Sequence, residues 1–93
     1  MPERLSPPEA KARILVCLAP GGTVVLGTHA QNEMAKDQMT AQNVNQVLRG
    51  GWLQEAEWEN GEWRYRVNTS QFVVVVAFVN ETQLRVVTAW RIK

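Results

Sequence analysis

The sequence predicts an α+β domain, with N-terminal helices packed on one face of a four-stranded antiparallel β-meander. Three stretches carry that prediction. Residues 72–79 read FVVVVAFV, an apolar run of eight residues built from Phe, Val and a single Ala. That is far short of the ~20 residues that cross a bilayer, and β-branched side chains in series favour a strand over a helix. A strand so apolar is buried on both faces and needs a neighbour on each edge. ENGEWRYRV before it and TQLRVVTAWRIK after it supply those neighbours. Upstream, Ser6-Pro7-Pro8-Glu9 and Gly50-Gly51 bracket a region of helix starts and stops.

The first helix is expected over residues 7–18. Ser6 accepts from the exposed amides, Pro fits the first turn, and Glu9 completes a capping box. Ala10, Ile14, Leu15 and Leu18 form its core side, with Lys11 and Arg13 in solvent. Pro20-Gly21-Gly22 stops it; no Gly-Lys-Ser/Thr follows, so the glycines mark a turn and not a phosphate loop. Residues 23–26 read as a short strand. Thr28 is the expected cap of a second helix, with Gln31 as its capping-box partner. His29 then sits in the first turn, where the positive end of the helix dipole opposes protonation. After a break over residues 37–39, Thr40 caps a third helix, residues 41–49. Val44, Val47 and Leu48 lie on one side of it, and Gly50-Gly51 ends it as a left-handed cap.

Ninety-three residues make one domain, residues 1–93. A hydrophobic content of 45% with four Trp excludes a disordered chain. The single Cys17 has no partner for an internal disulfide, and it lies in an apolar stretch, so it reads as core packing in a reduced, cytoplasmic protein. The charged, proline-rich start is not a signal peptide. A net charge of +1 conceals an asymmetry: residues 1–62 carry five basic and eight acidic side chains, and residues 63–93 five basic and one acidic. The only basic region is therefore the last strands, a modest footprint for phosphates.

Asn60-Gly61 predicts a type I′ hairpin that sets Trp58 opposite Trp63 and Ala56 opposite Tyr65. On the other side Glu57 faces Arg64 and Glu55 faces Arg66, an acid–base ladder, while Glu59 opposite Glu62 is a like-charge pair with no evident compensation. A three-residue turn at Asn68-Thr69-Ser70 sorts the faces by polarity, because a one-residue slip flips every side chain. It places Trp58, Trp63, Tyr65, Val67, Val73, Val75, Ala77, Leu84, Val86 and Trp90 under the helices. Arg64, Arg66, Arg85 and Arg91 surround Phe72, Val74, Val76 and Phe78 on the other face.

One His and one Cys far apart fall short of any zinc spacing, and no Gly-x-Ser-x-Gly or dinucleotide fingerprint occurs, so neither metal nor cofactor is expected. The remaining chemistry is His29 and the arginines. The order Thr28-His29-Ala30-x-x-x-Met34, Met39-Thr40-x-x-x-Val44-x-x-Val47-Leu48-x-x-Gly51, Trp63-Arg64-Tyr65-Arg66-Val67 and Val87-Thr88-Ala89-Trp90-Arg91 resembles a family of small bacterial domains of unknown function. Their pattern is a His-Ala-x-x-Arg-Met helix, an Ile-Ser/Thr-x-x-Asp-Val helix, a Tyr-Arg-Val strand and a closing Thr-Val-Tyr-Arg strand. The resemblance covers about residues 24–91, and Glu33 stands where the family has Arg.

That family is similar in layout to the barnase and RelE-like group, many of whose members are metal-independent ribonucleases and toxins paired with an antitoxin. The resemblance implies an RNA substrate and an antitoxin protein as partners, with His29, Arg66, Thr88 and Arg91 at the catalytic positions. Arg64 and Arg85 would hold phosphates, and Phe72 and Phe78 would stack on bases. Two other classes stand beside it: a non-catalytic module whose exposed apolar face binds a protein or a second copy as a homodimer, and an RNA-binding module that uses the same arginines and does not cleave.

Overall fold

A computed structural model describes residues 3–92; Lys93, at the end of the expected closing strand, lies outside them. Elements follow in the order α1 (Pro7–Leu18), β1 (Thr23–Leu26), α2 (Thr28–Lys36), α3 (Ala41–Gly50), β2 (Trp52–Leu53), β3 (Glu57–Glu59), β4 (Glu62–Asn68), β5 (Phe72–Asn80) and β6 (Gln83–Arg91). The sheet order is β1-β6-β5-β4-β2, with β3 also pairing with β4. The architecture is thus α+β, three helices on a six-stranded, mostly antiparallel sheet. β5 is the inner strand its composition requires, buried from Phe72 to Ala77. The simple four-stranded meander is corrected at both edges: β1 joins parallel to β6, and the expected first strand is broken into β2 and β3.

The helices form as their capping chemistry dictates, with exceptions. In α1, the Ser6 hydroxyl accepts from the Glu9 amide and the Glu9 carboxylate from the Ser6 amide. Ala10, Ile14 and Cys17 are its buried side, whereas Leu15 is 42% exposed, contrary to the periodicity. Neither cation of α1 is simply in solvent. Lys11 Nζ donates to the carbonyls of Leu48 (3.1 Å) and Arg49, the unpaired end of α3, and Arg13 lies 5.5 Å from the Phe78 ring centroid. The cap of α2 is Gly27 and not Thr28, and it makes no side-chain bond. Gln31 does not complete a box but donates to the Leu26 carbonyl at 2.7 Å. At the end of α3, Gly51 has φ −81° and ψ 171°, an extended residue and not a left-handed cap. Glycine is required there by space, since a Cβ would lie 2.7 Å from the Val47 carbonyl oxygen and 2.8 Å from Val67 Cγ1.

The hairpin at Asn60-Gly61 has positive φ at both residues, 52° and 79°, and Trp58 pairs with Trp63 as the turn demands. The two rings meet edge to face with centroids 5.1 Å apart. Beyond the hairpin the register slips. Trp52 pairs with Asn68 and Leu53 with Val67, one residue out of step with β3. The slip sets Gln54, not Glu55, beside Arg66: the Gln54 amide donates to the Arg66 carbonyl at 3.0 Å.

The phase between β4 and β5 is the opposite of the expected one. Arg66 pairs with Val75 and Val67 with Val74, so the arginines share a face with Val73 and Val75. The turn closes on Thr69, whose amide donates to the Phe72 carbonyl and whose hydroxyl accepts from the Gln71 and Phe72 amides. A bulge in β6 makes this phase workable. Val75 pairs with Thr88 but Val76 with Val86, leaving Val87 extra and turning the first half of β6 over. Leu84, Val86 and Ala89 therefore face the helices with Tyr65, Val67, Val74 and Val76, where they join Ile14, Met34, Val47 and Leu48 in the core. Thr88 and Trp90 face the other way.

Candidate nucleic-acid interface

The face of the sheet away from the helices carries a cavity of about 170 Å³ lined by Glu57, Glu59, Arg64, Arg66, Val75, Val87, Thr88 and Trp90. All eight come from strands β3 to β6, because the core leaves the helices on the opposite side. Three expected site residues, Arg64, Arg66 and Thr88, are thus brought together. Arg85 joins their face through Glu62, to which it donates at 2.6 Å.

The charges in this cavity are unequally engaged. Glu62 also accepts from Arg64 Nε at 3.1 Å, and Glu59 lies 3.4 Å from the Arg64 guanidinium. Arg64 therefore bridges the like-charge pair Glu59–Glu62, and Arg85 adds a second cation on Glu62, which accounts for the pair's tolerance. Arg64, with only 17% of its side chain exposed, is held by two carboxylates. Arg66 is different. The one-residue slip removes Glu55 from its side, and Glu55 instead lies 3.9 Å from Arg4. Among the described residues no carboxylate pairs with Arg66; its guanidinium carbon stacks 5.5 Å from the Trp90 ring centroid. Glu57 pairs across the hairpin with Arg64 in backbone register, yet makes no ion pair with a described residue.

The other expected site residues lie elsewhere. Arg91 pairs with Phe72 on the helix side, its guanidinium carbon 4.8 Å from that ring. Its amide donates to the Asp37 carboxylate at 2.9 Å and its side chain to the carbonyls of Asp37 (3.1 Å) and Gln38 (3.3 Å). It fastens the end of α2 to the end of β6, a structural role. Phe72 is buried, and Phe78 packs against Tyr65 with centroids 5.2 Å apart. Neither shares a face with Arg66, so the expected grouping of Arg64, Arg66 and Arg91 with these rings is corrected. The shared cause is the β4–β5 phase. Trp90, expected under the helices, is the ring that faces Arg66.

His29 is exposed in the first turn of α2 and does not line the cavity. One turn further on, the Glu33 carboxyl is held below its ordinary value by the Lys36 ammonium, hydrogen-bonded to it at 2.9 Å. Cys17 is 2% exposed, and burial pushes its thiol up, away from the reactive thiolate. Sequence reasoning did not single out Glu57, Glu59 or Trp90 as site residues. The first two were visible as a hairpin ladder, but nothing in the chain announces the Val87 bulge that turns Trp90 toward them.

Among the described residues no helix is long and apolar enough to cross a membrane, and no three of His, Cys, Asp and Glu converge as metal ligands do. Comparison with family models, with curated proteins and with solved structures finds no match to this chain.

Proposed function

We propose that the open sheet face binds RNA and that the domain is a RelE/barnase-like, metal-independent endoribonuclease, the toxin of a toxin–antitoxin pair. The observation that carries this reading is Arg66: a guanidinium with which no described carboxylate pairs, stacked on Trp90 and lining the same cavity as Thr88 and Glu57. A cation left unpaired among carboxylates is a site for an anion from outside. A nearby carboxylate is a base for the 2′-hydroxyl next to a bound phosphate.

In this reading Glu57 takes the 2′-OH proton and the 2′-oxygen attacks the adjacent phosphorus. The bond to the 5′-oxygen breaks, and that oxygen takes a proton from water. The products are a 2′,3′-cyclic phosphate and a 5′-hydroxyl. Arg66 and Thr88 donate to the phosphoryl oxygens as charge builds on them. The base is thus a carboxylate on a strand, not His29 on the helix.

The test is cleavage of RNA in EDTA with the ends identified. Cyclic phosphate ends are expected, DNA is spared, and Glu57→Gln lowers the rate by ~10² to 10⁴, the usual contribution of one acid–base group. Loss of activity in His29→Ala with Glu57→Gln unaffected would return the base to the helix. A second reading has its own support: Glu59 and Glu62 already occupy Arg64 and Arg85, which suits a module that holds RNA without cutting it. RNA retained intact on a folded protein would establish that reading.

A further inference from the structure

Trp52 is the most exposed large apolar side chain described, at 68%, and neither the core nor the cavity uses it. Its position is fixed by pairing. Trp52 is opposite Asn68, Asn68 opposite Val73, and Val73 opposite Trp90. Directly paired residues point to the same side of a sheet, so these four form one row across the open face, with an indole at each end. The neighbour of Trp52 in the chain, Leu53, is opposite Val67 and packs on the core, which confirms that Trp52 points outward. Gln54 Nε2 donates to Asn68 Oδ1 at 2.8 Å and steadies the strand beside it.

We infer that Trp52 and Trp90 are two base-stacking platforms, with Trp52 the second, which makes the open face a site for single-stranded RNA several nucleotides long. The inference rests on the RNA reading above and adds its length requirement. Three strand spacings of about 4.8 Å separate the backbone positions that carry the two indoles, or about 14 Å. At a rise of about 3.4 Å per stacked nucleotide this is roughly four nucleotides, and fewer for a splayed chain. A base on Trp90 and another on Trp52 leave the intervening backbone to cross above Asn68 and Val73, beside the Arg66 guanidinium, with which no described carboxylate pairs. The charge and the aromatic spacing together suit a flexible anionic chain with flat bases. A duplex, whose bases are stacked on one another, offers no free ring to either indole.

The experiment measures binding of 2′-O-methyl oligoadenylates, which the proposed chemistry cannot cleave, to the full chain by quenching of Trp fluorescence and by anisotropy of a dye on the oligonucleotide. A dinucleotide reaches one indole and an octanucleotide both. The octanucleotide is expected to bind more tightly; Trp52→Ala weakens it by about 5- to 100-fold and leaves the dinucleotide unchanged, while Trp52→Phe retains most of the affinity. Arg66→Ala weakens both. Octanucleotide binding that is equal in Trp52→Ala and wild type, with Arg66→Ala impaired, overturns the second platform and leaves the RNA reading standing. Failure of wild type to bind either oligonucleotide overturns both.

Discussion

Two adjacent glycines at the end of α3 respond to the same substitution in opposite directions. At Gly51 a Cβ would lie 2.7 Å from the Val47 carbonyl oxygen, 2.8 Å from Val67 Cγ1 and 3.0 Å from the Asn68 carbonyl oxygen. Two of these are backbone atoms of α3 and β4 that no rotamer change can move. Overpacking of this kind costs ~1–3 kcal/mol. Gly→Ala also stiffens the unfolded chain, which offsets ~0.4–1 kcal/mol because φ −81° suits Ala. The difference spans about 0–2.6 kcal/mol and centres on a loss near 1 kcal/mol, or a fall in Tm of roughly 4–8 °C for a domain of this size. At Gly50 a Cβ meets nothing within 4 Å, and Ala is the better helix former, so Gly50→Ala gains up to ~0.5–1 kcal/mol. Thermal and urea unfolding of the two variants decide the matter. Destabilisation of both variants, or of neither, would refute the steric account.

Two further outcomes are expected. Glu62→Gln loosens both Arg64 and Arg85, lowering stability by about 1 kcal/mol, as partly exposed networked pairs do. It also raises RNA affinity and steepens its salt dependence, since each freed cation that meets a phosphate adds ~0.7 to the slope for a single strand; titrations at several salt concentrations read both effects, and a variant with weaker RNA binding would contradict the account of Glu62 as a competitor for the arginines. Glu9 is held below its ordinary carboxylate value first by the Ser6 amide that donates to it, then by the Ser6 side chain, with Arg13 assisting. Because the folded value is the lower one, its stabilisation is present above the unfolded value and is lost as pH falls through the folded value. Glu9→Gln keeps an acceptor without a titrating proton, so its stability profile between pH 6 and pH 3 should be flatter than that of the wild type.

The helices and the hairpin were legible because local chemistry decides them. Ser6 and Glu9 bound α1, Thr40 opens α3 through a capping box with Asn43, and Asn60-Gly61 admits one turn type. The faces of the sheet were not legible, for a physical reason. β5 is apolar at every position from Phe72 to Val79, so its pattern contains no information about phase. Polarity sorting then decides by majority, and the majority is misled by Val87, a single extra residue that reverses Leu84 and Val86 relative to Thr88 and Trp90. Arg91 escaped for a related reason: an arginine looks like a ligand-binding residue in sequence, and only the end of α2 arriving beside it shows that its ligands are backbone carbonyls. At the candidate site, Arg66 and Thr88 were identified on resemblance and lie together, whereas His29 and Arg91 lie outside their cavity.

The parallel pairing of β1 with β6 also bears on the order of assembly. Thr23 waits for Gln83, about sixty residues later, before its ladder exists, and β6 is the last element of the described chain. Closing so long a loop costs entropy before any contact repays it, which slows folding relative to a hairpin of the same size. During synthesis at about 5–20 residues per second, α1 and β1 spend several seconds outside the ribosome with no strand to join. Val24 and Leu26, which are partly buried in the finished domain, then lack the β6 ladder that holds their strand in place. The hairpins of the C-terminal half can thus form as they emerge, whereas β1 has no strand to pair with until β6 arrives.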